Sequence, residues 1–221
     1  MSTAAKKSDE NAFDLVGTLT RHPNLVRQIP KGDTFHHSQS STYGAEPHYK
    51  KDSDTRYSDP DQNVGVYYLG GSAEVAVAES FQPGQGVDDQ AVRLSKLEQC
   101  SMHRLKTARI LNVIDVVGLA NHTTHNKLRD MVQAKGQGNK GYSLTREFSQ
   151  ACMQLGSKID GLLYPSAVYS VTGSMAGCNL VLFEGRGTQV EPIDYKPVTE
   201  VELSNGDTAV EFLESLGVVI E

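Results

Sequence analysis

Histidine is the residue type that most often does chemistry near neutral pH, as a metal ligand or a proton carrier, and the chain has seven. Their spacing argues against a metal. His36 and His37 are adjacent, so on a strand they face opposite ways, and His48 is some way off. His122 and His125 could share a helix face, but no cysteine or carboxylate obviously completes a ligand set, and no metal site is expected. Gly136, Gly138 and Gly141 give the look of a phosphate loop without the preceding strand or the Lys-Ser/Thr ending that would make one. No Ser/His/Asp order is persuasive for a hydrolase triad. Three short stretches remain, bearing a guanidinium, a carboxylate and a hydroxyl. They are Arg56-Tyr57-Ser58-Asp59-Pro60 with the following Gly65–Gly70, the segment ending just past Glu79, and Asp160–Ala167 with the following Gly177–Phe183. Each has an ordinary alternative. Arg56 follows Asp52 and Asp54 and could form a surface ion pair, Glu79 could be a solvated helix face, Tyr68 could be core, and Ser166 after Pro165 could be a plain turn residue.

The elements that must position these groups are legible to different degrees. Val64–Leu69 has the β-branched and aromatic makeup of a short buried strand, ended by Gly70 and Gly71. Ser72 then stands at an N-cap position, and the spacing predicts a helix over 73–81, with Ser72, Ala76 and Glu79 on roughly one face. Leu144, Phe148, Cys152 and Leu155 repeat every three or four residues and predict a helix over 144–156. Strands are expected at Gly161–Tyr164 and Asn179–Phe183, so Ser166 falls on the turn after the first. Elsewhere, Ala12–Val26 reads as a helix stopped by Pro23, and Gly32–Asn63 as a long loop whose length implies that it lines a site. Val87–Met102 reads as partly helical, Arg109–Gly118 as a strand, Thr124–Ala134 as an amphipathic helix, Lys135–Gly141 as a loop, Val198–Leu203 as a short apolar segment, and Thr208–Leu216 as an acidic helix. The irregular alternation predicts an α+β domain with a mixed or antiparallel central sheet flanked by helices. Residues 1–12 are expected to be a flexible tail, 13–195 the working domain and 196–221 an acidic extension.

In this order and at these distances, the stretches resemble the RES family, named for an arginine, a glutamate and a serine. The matching positions are Arg56 before an aromatic and a proline-containing loop, Tyr68-Leu69 at the end of a strand, Glu79 on the Ser-capped helix, and the Pro165-Ser166 turn. Asn179 and Phe183 fit an Asn-x-x-x-Phe strand, and Tyr142, Thr145 and Arg146 fit the opening of the helix before the serine strand. The resemblance runs from Phe35 to Phe183. It implies an ADP-ribosyltransferase-like fold and cleavage of the nicotinamide–ribose bond of NAD by water or inorganic phosphate, with no cofactor beyond NAD as substrate. It also implies a toxin that depletes cellular NAD, paired with a small Xre-type antitoxin. Transfer of ADP-ribose to a protein, or a non-catalytic nucleotide-binding module, are the alternatives.

The implied roles follow from the chemistry. Breaking the glycosidic bond makes the ribose cationic, and a carboxylate beside it, Glu79, stabilises that charge and orients the nucleophile. Arg56 suits the diphosphate, through paired charge-assisted hydrogen bonds. Tyr68 offers a face for a flat ring, and Ser166 a hydroxyl for the nicotinamide end. One position departs from the family pattern. His37, in Thr34-Phe35-His36-His37, occupies the place of an early arginine, and its shorter, part-time charge is expected to alter substrate grip.

Composition sets the outer bounds. At 221 residues with 38% hydrophobic and 22% charged residues, the chain is an ordinary globular domain. Its net charge of −6, with no basic stripe, argues against direct nucleic-acid binding. No run of about 18 apolar residues is present to span a membrane. Cys100, Cys152 and Cys178 are odd in number and irregularly spaced, which fits buried thiols in a reducing compartment, and the polar start Met1–Asn11 carries no signal-like stretch. A cytoplasmic location is therefore expected; oligomeric state leaves no legible mark.

Overall fold

The computed structural model describes residues 15–52, 55–82, 91–122, 142–169 and 174–221. Its centre is an eight-stranded sheet in the order β1-β6-β7-β8-β3-β2-β5-β9. The strands are β1 (Val26–Ile29), β2 (Thr34–Ser40), β3 (Val66–Gly70), β5 (Cys100–Thr107), β6 (Leu111–Asp115), β7 (Gly161–Pro165), β8 (Cys178–Phe183) and β9 (Val190–Pro197). Every neighbouring pair is antiparallel except β6 with β7, which is parallel. A separate parallel pair joins β4 (Ala91–Val92) to β10 (Val219–Ile220). The helices among the described residues are α1 (Leu15–Arg21), α2 (Ala73–Phe81), α3 (Leu94–Glu98), α4 (Val116–His122), α5 (Ser143–Met153) and α6 (Ala209–Ser215). This is the mixed α+β architecture expected from the alternation of elements.

Because side chains alternate along a strand, each face of the sheet has its own core. One face carries Phe35, Tyr67, Leu69, Leu105, Val113, Leu163, Leu180 and Leu182, a single aliphatic and aromatic cluster. The opposite face is divided. At one end Ile114, Leu162, Val181 and Phe183 are covered by α1, α4 and α5 through Leu15, Leu119, Phe148 and Cys152. At the other end α2 packs against α6 and the segment before it, through Val77, Ala78 and Phe81 against Val198, Val201, Phe212 and Leu213. Between these two clusters the strands present Tyr68, Tyr164 and Asn179, which the pairings Tyr68↔Val181 and Tyr164↔Asn179 set on that divided face.

Two expectations change. Gly32–Asn63 is not one long loop: it contains β2, a central strand paired along all seven residues with β5. Its sequence has almost no aliphatic alternation, and some of its polar side chains bond locally, as Gln39 with the Gly44 carbonyl and Ser40 with Thr42 do. The expected strand Arg109–Gly118 is a strand at Leu111–Asp115, and Val116 already opens α4; the partly helical stretch 87–102 carries α3 at Leu94–Glu98 among its described residues before Cys100 opens β5. β9 also went unread, since all but its first residue are exposed and it includes Pro192 and Pro197, as an edge strand tolerates. The acidic helix is present as α6, closed at its start by a capping box between Thr208 and Glu211. The expected tail 1–12, the helix 124–134 and the loop 135–141 lie outside the described residues.

Candidate active site

The carboxylate is built from β3 outward. Gly70 and Gly71 let the chain turn straight from β3 into α2 with the helix pressed on the sheet. A Cβ on Gly70 would sit 2.8 Å from the Ala76 nitrogen, and one on Gly71 only 1.9 Å from the Met175 carbonyl oxygen. Ser72 then caps α2 by accepting the Val75 N–H at 3.2 Å. The start of β8 ties both partners in place: the Cys178 carbonyl accepts the Gly71 N–H, and the Gly177 carbonyl accepts the Ser166 N–H. Glu79, two turns into the helix, is thereby aimed at the Ser166 turn and at Asn179.

The result is an asymmetric carboxylate. Glu79 Oε1 accepts from the Ser166 hydroxyl at 2.7 Å and from Asn179 Nδ2 at 2.7 Å. Oε2 has no hydrogen-bond partner among the described residues, and the side chain is otherwise exposed. Charge-assisted bonds of this length fix the plane of the carboxylate, so one oxygen anchors it and the other stands open to a ligand. Ser166 itself is buried, and its oxygen also accepts the Tyr169 and Val168 N–H groups at 3.0 and 3.3 Å. Its one proton goes to Glu79. The hydroxyl expected to hold the nicotinamide end thus donates to the carboxylate in this structure.

Arg56 approaches from the loop before β3. Its guanidinium lies 5.4 Å from the centre of the Tyr57 ring and 5.7 Å from that of Tyr164, two rings that meet at a tilt of 54°. Both rings are buried, and a guanidinium over such faces gains attraction from their π clouds. Burial pushes the Tyr57 hydroxyl up to about 12 and raises the Tyr164 hydroxyl well above its usual range, where the charge of nearby Glu79 adds to the effect. The phenols therefore stay neutral, and the charges here are those of Arg56 and Glu79, with Tyr164 feeling both.

Tyr68 lies on the same face, its hydroxyl accepting the Tyr57 N–H at 2.9 Å and donating to Thr55 Oγ1 at 3.0 Å. Burial raises that hydroxyl's pKa as well. His37 does not join this group. It points to the other face of the sheet, packs against Tyr67 with ring centres 4.6 Å apart, and donates from Nδ1 to the Tyr68 carbonyl at 2.8 Å. Burial lowers its pKa to about 4, so at neutral pH it is an uncharged, half-buried side chain and no substitute for an arginine. Sequence reasoning gave no role to Asn179, which only the β7–β8–β3 register brings beside Glu79, or to Tyr164, whose service to Arg56 depends on the path of a loop. Among the described residues no three His, Cys, Asp or Glu side chains gather to hold a metal.

The model of the RES domain matches residues 26–203. A chain in the crystal structure of the M. tuberculosis MbcT–MbcA toxin–antitoxin complex superposes with a TM-score of 0.56 and 16% sequence identity, over 91% of this chain and 97% of that one. No curated protein matches the chain. With a family match that begins at β1, ends beyond β9 and takes in Arg56, Glu79 and Ser166, the chain belongs to the RES domain family.

Proposed function

We propose that this protein consumes NAD by cleaving the bond between nicotinamide and ribose, and that it acts as the toxin of a toxin–antitoxin pair. The observation that carries the reading is the half-anchored carboxylate. Glu79 offers one fixed, open oxygen, with a guanidinium nearby on an aromatic bed. In the reaction the C1′–N1 bond breaks and its electron pair stays on the pyridine nitrogen, so nicotinamide leaves neutral. The ribose is left with oxocarbenium character, which Glu79 Oε2 stabilises at close range. Water then adds at C1′ and gives its proton to the carboxylate, yielding ADP-ribose. Inorganic phosphate in place of water gives the ribose 1-phosphate instead. Arg56 holds the diphosphate, Tyr68 and Tyr164 wall the pocket, and Ser166 and Asn179 keep Glu79 in register. No other cofactor is needed.

The partner reading draws on the neighbour, which was solved as a toxin with its antitoxin. A small Xre-type antitoxin that covers the Glu79 face is the proposed neutraliser here. Among the described residues no helix is long and apolar enough to cross a membrane, and the proposed substrate is a cytoplasmic pool of NAD. The direct test is to incubate the purified protein with NAD, with and without phosphate, and to separate the products by chromatography. Free nicotinamide with ADP-ribose identifies hydrolysis, and a phosphate-dependent product identifies phosphorolysis. Intact NAD, or undiminished turnover by Glu79→Ala, would sink the assignment.

A further inference from the structure

The segment that carries Arg56 has no helix or strand of its own, so its backbone polar groups must be satisfied from elsewhere. They are satisfied at the two residues on either side of the arginine. Tyr68 of β3 binds the Tyr57 N–H and the Thr55 hydroxyl, as described above. From the opposite side, Arg146 Nε of α5 donates to the Thr55 carbonyl at 3.2 Å, and the Ser149 hydroxyl donates to the Tyr57 carbonyl at 2.7 Å. Gln150 of the same helix reaches Asp61, and Asp59 closes the loop by accepting the N–H groups of Asp61, Asn63 and Val64. Arg146, Ser149 and Gln150 stand at i, i+3 and i+4 and form one face of α5. The other face, with Phe148 and Cys152, packs the core.

We propose that Ser149 and the Tyr68 hydroxyl are positioning residues for Arg56, a pair of clamps that delivers its guanidinium to a diphosphate. This rests on the reading of Arg56 as the diphosphate-binding group. Two features separate it from simple packing. Ser149 is fully buried beside an apolar cluster, where alanine would fill the space and a hydroxyl is tolerated only with a partner. That partner is the carbonyl directly after Arg56. Moreover, the clamped residue Tyr57 supplies one of the two rings beneath the guanidinium, so a single set of bonds fixes both the backbone of Arg56 and the surface on which its side chain rests.

The test compares wild type, Ser149→Ala and Tyr68→Phe in three measurements. Amide exchange at Tyr57 is expected to be slow in wild type and about fivefold faster in each variant, as expected when one bond worth about 1 kcal/mol is lost. Titration with inorganic diphosphate is expected to show binding that vanishes in Arg56→Ala and weakens about fivefold in each clamp variant. NAD kinetics are expected to show KM raised by a similar factor with kcat within about twofold, a split that general loosening of the fold would not produce. Rapid exchange at Tyr57 in wild type, or diphosphate affinity unchanged in a folded clamp variant, overturns the proposal. Should Ser149→Ala fail to fold, Tyr68→Phe decides alone. If wild type leaves NAD intact, the reading of the reaction falls, while the diphosphate titration still judges the clamp.

Discussion

Glu79 and Arg56 are held in opposite ways. Glu79 sits on a regular helix, and the bonds that place it fall on the carboxylate itself, from Ser166 and Asn179. Arg56 sits in an irregular loop, and bonds to its neighbours' backbone together with aromatic faces under its side chain help to place it. The first arrangement fixes a reacting atom to within a hydrogen bond's tolerance. The second fixes the base of a long side chain and seats its guanidinium over two rings. A group that must meet a developing charge at one carbon needs the first kind of support, and a group that grips a multi-oxygen diphosphate works with the second.

That contrast predicts different losses from comparably mild substitutions. In Glu79→Gln the amide oxygen can still accept from Ser166 and Asn179, so the fold is preserved while the charge disappears. Turnover is expected to fall about 10³-fold with KM nearly unchanged. Arg56→Lys keeps a charge but loses the paired geometry, and is expected to raise KM about tenfold with a much smaller effect on kcat. Steady-state kinetics of both variants check the split. Equal effects on kcat in the two would erase the distinction between them.

The same contrast explains what could be read in advance. α2 announced itself through Ser72, the Gly70-Gly71 break and a run of helix formers, and β3, β7 and β8 through dense β-branched and aliphatic residues. Local sequence therefore placed Glu79, Tyr68 and Ser166 on the right elements. What it could not give was register. Asn179 faces Glu79 because Gly70 pairs with Asn179, a fact fixed by contacts more than a hundred positions apart in the chain. β2 was hidden because its support is cross-strand pairing to β5 and local polar bonds, neither of which leaves hydrophobic periodicity. The loop of Arg56 was legible as unusual, but its clamps on α5 were not, since a polar helix face reads as a solvated one.

His37 marks where the two regions share a foundation. Its bond to the Tyr68 carbonyl lies on β3, which leads into α2 and also supplies the hydroxyl that holds the Arg56 loop. With its folded pKa lowered to about 4 from 6.5, the unfolded chain binds a proton between those values that the folded chain refuses. Stability is therefore full above the unfolded value and lost as pH falls toward 4, by roughly 2 kcal/mol between pH 7 and pH 5. Denaturant unfolding at the two pH values measures it, and His37→Gln should remove most of the slope. Burial also depresses His36 and His103, so a smaller slope should persist in that variant. A slope unaltered by His37→Gln would remove this residue from the shared foundation.

Smaller effects probe the carboxylate's anchors. Ser166→Ala and Asn179→Ala each delete one donor to the same oxygen and are each expected to lower kcat about tenfold, with little change in KM. Because both bonds end on Oε1, the double variant should fall short of the product of the two losses. Ser166→Ala should also cost about 1 kcal/mol of stability, since the Tyr169 N–H loses its acceptor. If the two substitutions multiply independently, Glu79 is not held as one unit by its two donors.

The smallest expected effect tests the bed beneath Arg56. If the guanidinium rests on the Tyr164 ring, then Tyr164→Phe, which keeps the ring and removes only a hydroxyl, should leave KM for NAD within about twofold of wild type. Tyr164→Leu removes the π face while keeping an apolar side chain, and a lost cation–π contact of about 0.6 kcal/mol corresponds to a rise in KM of about threefold. Tyr57, the second ring, remains in both variants, so the loss should be partial. The order matters more than the size. A Phe variant worse than the Leu variant would move the important contact from the ring to its hydroxyl, and Tyr164 would then act on Arg56 through a directed polar bond rather than through its face.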